Sequence, residues 1–278
     1  MKRKLTAIIL TFAAITMLLT SCGSKNAEEQ STTPSTTEEV AAQTTEAEQT
    51  TAAAPEATKA AATQAANQPA APKTTAEIVS YYNDSVNRVK KEATSLTRNY
   101  KKLKSLPEYL ELPSAIESIG KAAIEQFVKG SDTPETWTSK EDIKTVFPVG
   151  GTEYSSHLTA DMVQNATCTD KGSTYQIELK LYDDAKTSPA KGEGYAGVFN
   201  TVTASTFSDI NIPTVTFKSV KVNGIGGSIS CTVDKATGRV TAITFRNTDV
   251  LDMDVKVAFS DTHAKFALSA EENYTIKY

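Results

Sequence analysis

Few residues in this 278-residue chain have types that could do chemistry: two histidines, three cysteines and scattered carboxylates. Histidine is the usual acid–base group near neutral pH. His157 falls in a polar loop and His263 at the start of a strand, far apart and in no metal-ligand spacing. Asp183-Asp184 and Glu271-Glu272 are adjacent pairs beside turns. Neighbours on a strand point to opposite faces, so neither pair makes a shared-proton dyad and solvated carboxylates are the expectation. Asp252 and Asp254 share a face, the wet one opposite Leu251 and Met253. Clustered D-x-D-x-D-G ligands for calcium do not occur. Ser188-Pro-Ala-Lys191 and Ser118-Ile-Gly-Lys121 both match S-x-x-K, but S-D-N, K-T-G and G-x-S-x-G are missing. Gly224-Ile-Gly-Gly227 lies between strands, with no helix N-terminus to hold a phosphate. The expectation is that the chain is not an enzyme and carries no cofactor and no metal.

Cys22 stands apart from the other two cysteines. Met1-Lys-Arg-Lys4 is followed by an almost wholly apolar run, Leu5 to Leu19, then Leu19-Thr20-Ser21-Cys22. A short cationic start, a 15-residue apolar run and small residues at its end make a secretory signal, too short to span a bilayer comfortably. Leu-Thr-Ser-Cys resembles the lipobox of bacterial lipoproteins. That resemblance implies cleavage between Ser21 and Cys22 and attachment of diacylglycerol to the Cys22 thiol, with membrane as partner through the lipid. Cys168 and Cys231 then form an even pair, which outside the cell invites a disulfide; two buried thiols would give the same sequence. Two thiolates without a nearby histidine are too few for a metal.

Three segments follow: a signal peptide over residues 1–21, a lipidated cysteine with a disordered spacer over 22–74, and one globular domain over 75–278. From Ser24 to Thr74 there is no Trp, Tyr, Phe, Leu, Ile or Met, and Val40 is the only large aliphatic residue. Such a segment cannot bury enough apolar surface to offset its ordering entropy. As a coil it reaches roughly 40 Å root-mean-square, either a tether that lifts the domain off the membrane and into the wall or a flexible tail without a distance requirement. Thr-rich spacers of this kind resemble those of Gram-positive, clostridial-type surface lipoproteins. The formal charge of −4 becomes more negative once the leader is removed, so nothing attracts nucleic acid.

In the domain, Ile78, Tyr82, Val86, Val89, Ala93 and Leu96 recur at helical spacing and predict one helix from Ala76 to about Leu103. Lys90, Lys91, Arg98, Lys101, Lys102 and Lys104 would gather on its C-terminal half, facing solvent, wall polymer or lipid headgroups. A second helix is expected after Pro113, capped by Ser114 and Glu117, with Ile116, Ile119, Ala123, Ile124 and Phe127 as its apolar stripe and Gly130 ending it. After Thr138 the period becomes two. Strands are expected at 175–181, 215–222, 225–233, 240–246, 251–259, 263–270 and 274–278, with a hairpin turn at Asp234–Arg239. The fold class expected is α+β: N-terminal helices packed on a strongly antiparallel sheet of about six or more strands.

The function expected is that of a membrane-anchored, extracytoplasmic binding module, its partner a wall component, a surface protein or an apolar ligand. The order of anchor, helices and antiparallel strands also resembles in outline the curved-sheet lipoproteins that ferry acyl chains, the LolA-like and LppX-like families. That resemblance implies a carrier, its cavity lined by Tyr175, Ile177, Leu179, Leu251, Met253, Val255 and Val257, residues that would equally make an ordinary core.

Overall fold

The computed structural model describes residues 70–278 apart from 115–116, 118–119, 122–123, 126–127, 129, 152, 186, 191, 203–214 and 258. Helix α1 (Thr75–Val86) begins at a capping box: the Glu77 N–H donates to Thr74 Oγ1 at 3.2 Å, and the Thr74 N–H donates to Glu77 Oε2 at 3.0 Å. Two of the four orphan amides of the first turn are thereby satisfied or screened from competing contacts. A short second helix, α2 (Val89–Glu92), follows it.

The predicted helix stops there. Its second half is strand β1 (Ser95–Ser105), which pairs with the C-terminal strand β7 (Ser260–Lys277) and with β2 (Glu135–Trp137), all antiparallel. Leu96, Tyr100 and Leu103 are spaced as on a helix, yet in β1, across a β-bulge between Arg98 and Tyr100, Leu96 and Leu103 lie opposite Ile276 and Ala270 on one face and Tyr100 opposite Asn273 on the other. The long open edge of β7 decides the matter, because its backbone groups need partners. Consequently the basic cluster is dispersed over two faces. Lys90 is buried with its ammonium donating to Val149 O at 2.6 Å, Arg98 pairs with Glu135 at 2.7 Å, and Lys102 lies over the Tyr100 ring.

Helix α3 (Lys140–Val146) has Ser139 as its N-cap. The strands β3 (Val163–Asp170), β4 (Thr174–Leu181), β5 (Val215–Asp234) and β6 (Arg239–Val257) complete one seven-stranded sheet in the order β2-β1-β7-β6-β5-β4-β3. The architecture is α+β and mostly sheet, with few helices. The expected second helix is described at Glu117, Gly120, Lys121, Ile124 and Glu125; Ile116, Ile119, Ala123 and Phe127 lie outside the described residues. Six expected strands are in fact three long ones. Gly226 and Gly227 sit in an irregularity of β5, where pairing with β6 shifts between Ile225 and Ser228. Asn247 to Asp249, and Glu271 to Asn273, continue β6 and β7 rather than breaking them. Phe259, expected in line with Leu251, lies beyond the end of β6 and is fully exposed.

Two apolar clusters result. One joins Ile78, Tyr82 and Val86 of α1 to Ile177, Ile229, Cys231, Ile243, Phe245 and Tyr274, with Phe147 edge-on to the Phe245 and Tyr274 rings. The other holds Leu251, Met253, Val255, Ala264 and Phe266 with Ile124. Side chains two apart on a strand share a face. On β6 that face therefore runs Ile243, Phe245, Asn247, Asp249, Leu251, Met253, Val255, and two buried polar residues divide it.

Candidate functional site: an acidic cavity beside a buried polar belt

The belt crosses the sheet between the two clusters. Its centre is Asp249, almost wholly buried, whose Oδ2 accepts the Val202 N–H at 2.8 Å and whose Oδ1 accepts from Asn247 Nδ2 at 3.0 Å. Burial pushes the Asp249 carboxyl up to about 7, against the pull of those two hydrogen bonds, with Asp184 raising it further and Lys101 lowering it. On the next strand Glu272 is buried too. Burial alone would raise its pKa, but the Lys101 ammonium at 2.7 Å and the Tyr274 hydroxyl, which donates to it, hold it below the usual carboxylate range. Glu271, on the opposite face, accepts from Tyr100 Oη and Arg246 Nε. The expectation that Glu271 and Glu272 face apart holds; the expectation that both are solvated does not.

Just past the end of β4 the chain enters a loop that folds back on β5. Ser188 has φ of 54°, donates its N–H to Val222 O at 2.6 Å and accepts the Val222 N–H on Oγ at 2.9 Å. That is a structural use of the S-x-x-K serine; Lys191 and Ser118 lie outside the described residues. The turn Gly194–Gly197 then lays the Tyr195 ring across β5. A methyl group on Gly224 would lie 2.4 Å from two ring carbons, and one on Gly227 2.5 Å from the hydroxyl oxygen. The hydroxyl accepts the Gly227 N–H at 2.7 Å and donates to Tyr182 O at 3.1 Å. The glycine motif thus makes room for an aromatic ring, not a phosphate. Gly227→Ala is expected to destabilise the domain by about 2–4 kcal/mol in urea unfolding, from overpacking and the lost bond. Gly226→Ala, whose methyl meets open space at φ +62°, should cost about 1–2 kcal/mol. Equal losses at the two positions would show that the ring does not rest there.

Between this loop and the end of β4 is a half-open cavity of about 590 Å³. Asp183 and Asp184 both line it, because β4 has ended at Leu181 and strand alternation no longer separates them. Asp183 Oδ1 accepts the Gly226 N–H at 2.8 Å and Asp184 Oδ1 the Tyr195 N–H at 2.9 Å. Asp184 Oδ2 is buried and has no hydrogen-bond partner among the described residues. Burial pushes the Asp184 carboxyl up to about 6, opposed by the Tyr195 and Gly224 backbone amides. Asp161, Met162, Tyr182, Glu193 and His157 add to the lining; His157 Nδ1 is 3.1 Å from Gly192 O. His263 is remote on β7, 3.3 Å from Asp254 Oδ1, in an exposed cluster with Asp252. Among the described residues no three His, Cys, Asp or Glu side chains gather closely enough to hold a metal ion.

The remaining expected residues fall in the core. Ile177 and Leu179 belong to the first cluster, with Tyr175 buried and edge-on to Tyr81; Leu251, Met253 and Val255 belong to the second, and Val257 packs against it. They do not form one lining. Cys168 and Cys231 are both free, and each is opposite Ile177, one from β3 and the other from β5. With a strand between them their Cα atoms are about 9–10 Å apart, beyond the reach of a disulfide, so the structure does not bring this pair together. Burial raises both thiols. Comparison with protein-family models, curated proteins and solved structures found no match to this chain.

Proposed function

We propose that the chain is a lipoprotein held on the outer side of the cell membrane through a thioether at Cys22, and that its sheet domain is a non-catalytic binding module. The observation that carries the binding reading is the half-open cavity lined by Asp161, Asp183, Asp184 and Glu193, built from two segments clamped to β5. The apolar leader ending in Leu19-Thr20-Ser21-Cys22 supports the anchor, and the spacer that follows supplies the reach. A carrier of apolar ligands would need the inward strand residues to line a void. Those residues instead pack into two clusters divided by Asn247 and Asp249, which favours the module.

The test uses the full chain in a Gram-positive host fed labelled palmitate. Wild type should take up label and enter the detergent phase, whereas Cys22→Ser should take up none. Unlabelled wild-type protein overturns the anchor. Native mass spectrometry of the soluble Cys22→Ser protein, before and after solvent extraction, should give one unchanged protein mass. An extractable adduct of lipid mass moves the assignment to the carrier.

A further inference from the structure

We propose that β3 is a docking edge for a second copy of this chain, the two β3 strands pairing antiparallel about Cys168 and joining two seven-stranded sheets into one. The two edges of the sheet differ. At one, β2 is three residues long and carries Glu135, and further along β1 Lys101 exchanges two backbone hydrogen bonds with Ser131, at 2.7 and 2.8 Å. At the other, β3 runs for eight residues with no Pro and no Lys, and among the described residues its backbone bonds only to β4. An edge of that length is a template for another strand unless something blunts it. Its one charged residue, Asp170, does not, because the Lys235 ammonium and the Gly172 N–H already hold that carboxylate.

The free groups follow from the pairing. Successive residues of an antiparallel strand turn their backbone groups alternately to one neighbour and to the other. Lys171 donates to Thr174 O at 2.9 Å in the hairpin turn, so Thr169, Thr167 and Asn165 bond to β4. Ala166, Cys168 and Asp170 therefore point their N–H and C=O groups outward. The irregularity between Val163 and Asn165 ends this regular row.

A row centred on Cys168 fits its own two-fold copy. Cys168 meets Cys168 of the second copy, Ala166 meets Asp170 of the second copy, and each such pair exchanges both of its hydrogen bonds. Neighbouring registers are worse. A slip of one residue sets outward groups against groups already committed to β4, and a slip of two carries the row into the bulge or the turn. In the centred register Thr167 lies opposite Thr169 of the second copy on the exposed face, a favourable cross-strand pair made twice by symmetry, and no like charges are opposed. An unrelated strand has no such correspondence. The contact closes at two copies. It is one strand wide, so the dimer is a weak one that depends on concentration.

The test is sedimentation equilibrium with amide hydrogen exchange on the full-length Cys22→Ser chain, from about 10 µM to about 1 mM. A monomer–dimer equilibrium is expected in that range. The Ala166, Cys168 and Asp170 amides should exchange about twofold or more slowly at its upper end, as the dimer fills. Thr167→Lys/Thr169→Lys sets like charges opposite each other and should abolish both effects. Thr167→Lys/Thr169→Glu sets opposite charges there and should keep both. Both positions are exposed, and the urea midpoint of each variant reports that the fold is kept. A chain that is monomeric throughout overturns the proposal. So does a dimer in which the three amides stay unprotected, or one that the two variants affect alike. Protection that does not change with concentration shows that the chain covers its own edge, and overturns the second copy.

Discussion

Lys101→Met is expected to destabilise the domain by about 3 kcal/mol at pH 7. Lys101 pairs at 2.7 Å with Glu272, whose side chain is buried between the two apolar clusters. Removing one partner of a buried pair leaves an uncompensated charge, which commonly costs about 3–5 kcal/mol. The lower figure is used because Lys101 is itself about a third exposed and water can reach the gap. Lys101→Met/Glu272→Gln should recover most of the loss, since no charge is then stranded; the Tyr274 hydroxyl can still donate to the Gln carbonyl. The single variant should also lose less at acid pH. With Lys101 gone, burial is opposed only by Tyr274 and the more distant Arg98, so Glu272 takes up a proton at higher pH than in the wild type. Urea unfolding of the three proteins at pH 5 and pH 7 measures both effects. A double variant no more stable than Lys101→Met would mean that the pair is not buried as described.

The same residues show what the sequence could and could not convey. Alternation along β4 and along Leu251 to Val257 was legible because each inward residue there is apolar, and those strands stand where the period of two puts them. The capping box at Thr74 was within reach for the same reason that Ser139 was, since each cap precedes an acidic residue by three. The polar belt was not legible. Asn247, Asp249 and Glu272 look like breaks between strands when read locally; they are strand residues whose partners come from sequence-distant Val202 and Lys101. The strand β1 was hidden because the bulge after Arg98 breaks its period of two: Leu96 and Leu103 share a face although seven residues apart, and Tyr100 lies on the other. The cavity was hidden for a third reason. Asp183-Asp184 was visible as a pair, but its convergence depends on where β4 stops and on the Tyr195 ring lying across Gly224 and Gly227. A glycine-rich strand segment is a local signal that something approaches closely; it does not say what.

Asp249 makes stability depend on pH in the direction opposite to most carboxylates. Its folded pKa is raised to about 7 from an ordinary value of 3.8, mainly by burial. Below about pH 4 it is protonated whether the chain is folded or not, and contributes nothing. As pH rises from 4 toward 7, the unfolded chain gives up this proton while the folded chain keeps it. Stability falls across that window by up to about 4 kcal/mol and levels off above pH 7. Glu272, Glu271 and Asp254, whose folded pKa values are lowered, gain stability as pH rises through the acid range, so the wild-type profile mixes both signs. The comparison that isolates Asp249 is Asp249→Asn. Asparagine keeps one acceptor for the Val202 N–H or for Asn247 and turns a donor toward the other, a loss of about 1 kcal/mol at any pH. At pH 4.5 the variant should therefore match the wild type, the curves crossing near that pH; at pH 8 it should be the more stable protein by about 3 kcal/mol. Equilibrium urea unfolding at pH 4.5, 6 and 8 reads this directly. A constant difference at all three would place Asp249 in water and remove the divide between the two cores. The predicted crossing instead means that a carboxylate under the influence of Lys101 and Asp184 keeps its proton in the folded state up to neutral pH, which ties the strength of the belt to the surrounding acidity.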